Sequence, residues 1–335
     1  YWSDHGPGHD FGCAWSPCSR FVAVTCPAGV WVVEAASGKW TCVVRDVWCL
    51  PARGLSPMWS PDSAWLLYPV TKRGDLLGFG VPVTWWLVPA TGSVEPRMVN
   101  PRYPPCFSPD GKRLAALEPS GMKDGLPTGP WRLVVHSLED ASKQVVVEDC
   151  AASRFLWLPD SSGLVYSEAQ TGYVCVVPLV AGAQPRKYTE CWLDAIAVSL
   201  DGKWVVGNGP WRMRGEHEVV IENIAGLNLE TGQSWSLPGA GCSGMSPDGK
   251  WIIYHLTVEP GQGSPKGVCA VSPDGRMNGR ISALGCAIPE WSYASTWFIG
   301  SDSLMPSTCV SACEAEFYAF SVSQTGAVWW RVDFH

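Results

Sequence analysis

The sequence predicts an all-β fold, a seven-bladed β-propeller of four-stranded antiparallel blades, on three observations. A turn motif of the form apolar-Ser-Pro-Asp-Gly-Lys recurs, a β-rich run follows each copy, and helical periodicity is nearly absent. The copies are Trp15-Ser16-Pro17, Trp59-Ser60-Pro61-Asp62, Phe107-Ser108-Pro109-Asp110-Gly111-Lys112 and Trp157-Leu158-Pro159-Asp160. Val198-Ser199-Leu200-Asp201-Gly202-Lys203, Met245-Ser246-Pro247-Asp248-Gly249-Lys250 and the degenerate Trp291-Ser292-Tyr293 follow. Their anchors stand at 16, 60, 108, 158, 199, 246 and 292, spaced by 44, 48, 50, 41, 47 and 46 residues. That period is the length of a four-stranded blade.

Each unit has a physical reading. Pro fixes φ for the turn, Asp bonds nearby backbone amides, and Gly accepts a positive φ, so the motif is a hairpin turn. Runs such as Trp65-Leu66-Leu67-Tyr68, Trp204-Val205-Val206 and Trp251-Ile252-Ile253-Tyr254 then form the second strand. A second hairpin closes each unit, as in Trp31-Val32-Val33 up to Ser37-Gly38 and Trp86-Leu87-Val88 up to Thr91-Gly92. One blade cannot bury both faces alone, and stacking blades covers them, so residues 11–335 are expected to form one propeller behind an extension at 1–10.

Composition narrows the class of partner. The chain has 335 residues, 46% of them apolar and 16% charged, enough to bury a large core. A net charge of −7 with no run of Lys or Arg gives no footprint for nucleic acid. Gly, Pro or a charge interrupts every hydrophobic run, so no membrane span is expected. The first residue is Tyr1 rather than Met, which fits removal of a leader, and export to the periplasm, cell surface or medium is the expectation. Fourteen cysteines would then allow disulfides, although a reduced core of small apolar thiols is the other reading. C-x-x-C is absent, and no cofactor or metal motif is recognised. Asp4, His5, His9 and Asp10 lie within seven residues and are read as a solvated terminus rather than as metal ligands.

The repeats resemble those of the TolB-type, or WD40-like (PD40), β-propellers over about residues 11 to 333. The resemblance implies the fold. It leaves the job open, because the group includes periplasmic scaffolds, lectin-like binders, lyases and the propeller half of prolyl-oligopeptidase-like peptidases. A G-x-S-x-G elbow, which such peptidases carry on a further domain, is missing here. The first repeat departs from the pattern with Cys18 where Asp is expected, and the seventh lacks Pro-Asp-Gly.

In such a fold the loops joining second to third strands and blade to blade share a face and carry binding residues. Short connections are expected at Cys26 to Gly29 and Glu168 to Gly172, and long ones at 71–82, 118–130, 207–218, 257–267 and 300–316. The long ones hold the candidate binding residues Lys72, Arg73, Asp75, Lys123, Asp124, Trp211, Arg212, Arg214, Glu216, His217, Glu218 and Glu259. Pro210 to Glu218 combines an aromatic platform, both charges and a titratable His. Of the 20 tryptophans, Trp15, Trp59, Trp157, Trp291, Trp65, Trp204, Trp251 and Trp297 fall at two repeat positions and are expected in the core. Trp48, Trp192, Trp329 and Trp330 lie outside that register and are candidate anchors for a protein or sugar. His136 and His255 sit in strand contexts and are expected to be packed or hydrogen-bonded.

Three functions follow from these residues. The leading one is a non-catalytic propeller that serves as an interaction or scaffold subunit of an exported assembly, with a protein partner. The second is a lectin-like carbohydrate binder. The third is a polysaccharide lyase or hydrolase with His217 as base and Arg212 or Arg214 neutralising a substrate carboxylate.

Overall fold

The structure is a computed structural model. It describes residues 12–26, 28–45, 47, 57–70, 83–100, 104–123, 126–140, 142–180, 182–209, 211–214, 218–221, 223–238, 240–246, 249–255, 268–282, 290–291, 297–301, 317–323 and 326–332. Those residues form seven four-stranded antiparallel sheets and one two-stranded ladder, with no helix among them. No helix there is long and apolar enough to cross a membrane. The fold is all-β, and each sheet is a meander of strands consecutive in the chain, apart from the ladder inserted in the fifth.

Two compact units divide the sheets. In Tyr1–Ala151 the first sheet comprises Gly12–Trp15, Phe21–Cys26, Gly29–Glu34 and Trp40–Arg45. The second has Met58–Trp59, Trp65–Val70, Thr84–Pro89 and Arg97–Asn100, and the third Cys106–Phe107, Arg113–Lys123, Leu126–Ser137 and Lys143–Val147. In Ala152–His335 the fourth sheet comprises Ala152–Trp157, Gly163–Glu168, Tyr173–Pro178 and Arg186–Trp192. The fifth has Asp194–Val198, Trp204–Asn208, Asn223–Asn228 and Ser234–Pro238, and the sixth Ala240–Met245, Ile252–His255, Val268–Val271 and Asn278–Ser282. Glu290–Trp291, Trp297–Ser301, Phe317–Ser323 and Gly326–Val332 make the seventh. The expected 1–10 extension lies outside the described residues.

Continuous apolar runs are needed because inner strands bury both faces, with successive residues pointing to opposite sides. Leu66 and Tyr68 pack with Ala23, Val30 and Val32 of the first sheet, while Leu67 packs with Phe107 and Leu114 of the third. The second unit repeats the scheme. Val205 joins Val165 and Val174 of the fourth sheet, and Val206 joins Ile252 and Tyr254 of the sixth. Polar tips tie neighbours together: Trp59 Nε1 donates to the Ala14 carbonyl at 2.9 Å, and Trp235 Nε1 to the Pro273 carbonyl at 2.9 Å. The Tyr188 hydroxyl donates to the Leu229 carbonyl.

The repeat's turn has a fixed internal wiring. Ser60, Ser108 and Ser199 each donate from Oγ to the aspartate two residues on, at 2.5 Å. The same buried oxygens accept the backbone N–H of Trp65, Arg113 and Trp204. Gly111 and Gly202 take φ of +71° in this turn, which a side chain strains.

Two expectations need correction. Trp59 and Trp157 are buried and Trp65, Trp204 and Trp251 half-buried, but Trp15 is 52% exposed. Trp59, by contrast, packs with Ala23, Val30 and Leu66 and donates to the Ala14 carbonyl. Segments 118–130 and 207–218 are paired strands for most of their length rather than open loops. Cys13, Cys18, Cys26, Cys42, Cys106, Cys150, Cys175, Cys191 and Cys269 are thiols, while Cys49, Cys286, Cys309 and Cys313 lie outside the described residues.

Candidate functional site

The connections between second and third strands are where the sequence directs attention. In the third sheet these strands continue past Glu118 and Arg132, shift register between Pro119 and Gly121, and pair onward as Gly121 with Thr128, Met122 with Pro127 and Lys123 with Leu126. Gly129 has φ of +73°, a left-handed conformation that strains any side chain. Lys123, Thr128, Gly129 and Pro130 are exposed on the resulting arm. Apolar alternation does not mark this arm, because its ladder rests on backbone N–H and C=O groups that every residue but Pro supplies.

A second arm leaves the fifth sheet. Trp211 pairs with Ile221, Arg212 with Val220, Met213 with Val219 and Arg214 with Glu218. The structure therefore places Trp211, Arg212, Arg214 and Glu218 on one hairpin, while Glu216 and His217 lie outside the described residues. So do Trp48, Lys72, Arg73, Asp75, Asp124 and Glu259, and the segments 71–82, 257–267 and 302–316. Trp329 and Trp330 belong to the fourth strand of the seventh sheet, opposite Phe320 and Ala319.

By contrast, the fourth sheet turns tightly from Glu168 to Tyr173, as expected, with the Gly172 N–H donating to the Glu168 carbonyl at 2.8 Å. The Glu168 carboxylate accepts from Lys187 Nζ at 2.9 and 2.8 Å and from Thr171 Oγ1 at 2.6 Å. Lys187 also stands 4.9 Å from the centre of the Tyr173 ring. Burial alone would raise the Glu168 pKa, but the Lys187 and Thr171 hydrogen bonds outweigh it and hold the carboxyl below its ordinary range. The same bond raises Lys187. Trp192, a candidate anchor, is half-buried: a Cβ on Gly172 would sit 2.1 Å from its Nε1.

At the root of the first arm, Glu118 accepts from His136 Nε2 at 2.6 Å and from Lys143 Nζ. His136 pairs with Lys143 across the outer strands. Burial would raise the Glu118 pKa; the bonds and charges of His136 and Lys143 override it and keep the group ionised. This network fixes the arm's base. His136 is hydrogen-bonded, as its strand context suggested. Neither Glu118 nor Glu168 stands out in the sequence, because only strand register brings His136, Lys143 and Lys187 to them.

No protein-family model matches the sequence, and no curated protein matches it. Solved structures do resemble it. Oligogalacturonate lyase in complex with manganese aligns over 94% of this chain and 89% of its own, at 12% identity and TM-score 0.59. Dihydro-heme d1 dehydrogenase NirN in complex with DHE aligns over 99% of this chain and 68% of its own, at 14% identity and TM-score 0.54. TolB from Acinetobacter baumannii aligns at 17% identity and TM-score 0.44 over 81% of this chain, which spans 62% of that protein's length. The fold is a β-propeller, as the repeats suggested. Proteins of unrelated chemistry share it, so function has to be argued from the site.

Proposed function

We propose that the chain is a non-catalytic propeller that acts as a protein-interaction subunit, and that the assembly it serves is exported. One observation supports this reading above others: two of the second-to-third-strand connections are built as paired β-ladders rather than as open loops. A ladder holds its backbone rigid at little further entropic cost and presents side chains and an open edge to a partner. The arm from the third sheet is braced at its base by Glu118, His136 and Lys143. Export rests on the resemblance of the repeats to the TolB type.

The test replaces residues 119–130 with a tight turn of the same sequence as Glu168 to Tyr173. Native mass spectrometry of the protein purified from its own source should show a stoichiometric protein partner, and the shortened variant should lose it with an unchanged circular dichroism spectrum. A monomer that cleaves polyuronates, with or without the arm, would replace this reading with the catalytic one.

A further inference from the structure

We propose that a cleft between the first and second sheets binds a short zwitterionic peptide with apolar side chains, a dipeptide being the size that fits. The cleft is open to solvent and has a volume of about 470 Å³, within the range of small-ligand sites. Val43 and Val47 form one wall, Val70 and Trp86 the other, and Arg45 and Glu95 complete the lining. All belong to the same compact unit.

The wall chemistry selects the ligand. Trp86 Nε1 already donates to Thr84 Oγ1 at 3.0 Å, which leaves the indole as an apolar surface that asks nothing polar of a guest. Arg45 and Glu95 are exposed, and neither side chain has a hydrogen bond or ion pair among the described residues. A guest carrying one charge would meet one of them favourably and the other with repulsion. A molecule with a carboxylate, an ammonium and an apolar body between them satisfies both and covers the valines. A 470 Å³ volume taken as a sphere is about 10 Å across, and two extended residues reach about 7 Å, so a dipeptide spans it with room for side chains.

Isothermal titration of the full chain with L-leucyl-L-phenylalanine tests this. One-to-one saturable binding is expected. Capping the amine by acetylation should weaken it roughly ten- to hundredfold, and Glu95→Gln should weaken the free dipeptide to the same degree while making acetylation inconsequential. Amidating the carboxyl and Arg45→Met should form a second pair with the same pattern. Both substitutions lie at exposed positions, so an unchanged melting temperature separates lost binding from lost folding. No binding at millimolar dipeptide overturns the proposal. So does binding that Arg45→Met and Glu95→Gln leave unchanged, or a preference for a dicarboxylate or a neutral disaccharide.

Discussion

Ser16 Oγ lies 3.3 Å from Cys18 Sγ, in the place where the next sheet's Ser60 Oγ donates to Asp62 Oδ1 at 2.5 Å. The first repeat thus keeps the hydrogen-bonding frame built around an anion and puts a thiol in it. Bonding by Ser16, then by Ser63 and the Arg20 N–H, brings the Cys18 pKa from 9.0 down to about 7. Burial drives Cys106 the other way, to about 11.

Alkylation should therefore separate these thiols. The rate of Cys18 carboxamidomethylation, followed by peptide mass spectrometry, is expected to rise with pH through a midpoint near 7. Ser16→Ala should move that midpoint toward 9.0. A midpoint near 9.0 in the unaltered protein would show that the turn does not hold the thiolate.

The serine of the turn should matter to stability wherever it is buried. Ser108 Oγ donates to Asp110 Oδ1 at 2.5 Å and accepts the Arg113 N–H at 2.9 Å. Ser108→Ala leaves that N–H without its side-chain acceptor and is expected to cost about 1–3 kcal/mol in urea unfolding. A cost below about 0.3 kcal/mol would mean that water replaces the hydroxyl.

Gly172 is held by conformation and by space, and the two can be separated. Its φ is +64°, and a Cβ would meet Trp192 Nε1 at 2.1 Å. Gly172→Ala should destabilise the protein by more than about 1 kcal/mol. In a Trp192→Ala background the alanine should cost less, with the strain of the left-handed conformation, about 1–2 kcal/mol, remaining. Equal costs in both backgrounds would contradict the packing of Trp192 on this turn.

Two carboxylates and a lysine set opposite pH limits. Glu118 and Glu168 are depressed below their unfolded value of 4.5, so the stability they add is complete above it and is lost as pH falls through their folded values. Lys187 is raised above 10.5, so its contribution is complete below that pH and is lost as pH rises through its folded value. Glu118→Gln should flatten the fall in unfolding free energy between about pH 5 and 3 relative to the parent chain. An unchanged acid limb would rule out Glu118 as one of the groups that set it.

The arms show where reading a sequence stops. The segment 118–130 holds Pro119, Pro127 and Pro130 and three glycines, Gly121, Gly125 and Gly129, which read locally as loop punctuation. Pairing of Gly121 with Thr128 and of Lys123 with Leu126 needs only backbone groups in register, and that register is inherited from the sheet below. The Pro210 to Glu218 segment was legible as a concentration of aromatic, charge and His, but not as a hairpin. Glu118 and Lys143 are 25 residues apart and meet only because two ladders align them.

By itself the sequence determined the repeat, the turns built on Ser60, Ser108 and Ser199, and the all-β sheets that follow them. Those features rest on interactions a few residues long: Ser60 with Asp62, Ser108 with Arg113, and an apolar run that must bury both faces. Only the tertiary structure decided that Trp59 is covered and Trp15 is not, and that 118–123 and 126–132 pair as an arm. It alone brought Arg45 and Glu95 to one cleft. Burial and charge pairing depend on which surface a neighbouring strand or sheet presents, and identical local chemistry meets different surfaces at different places in the fold.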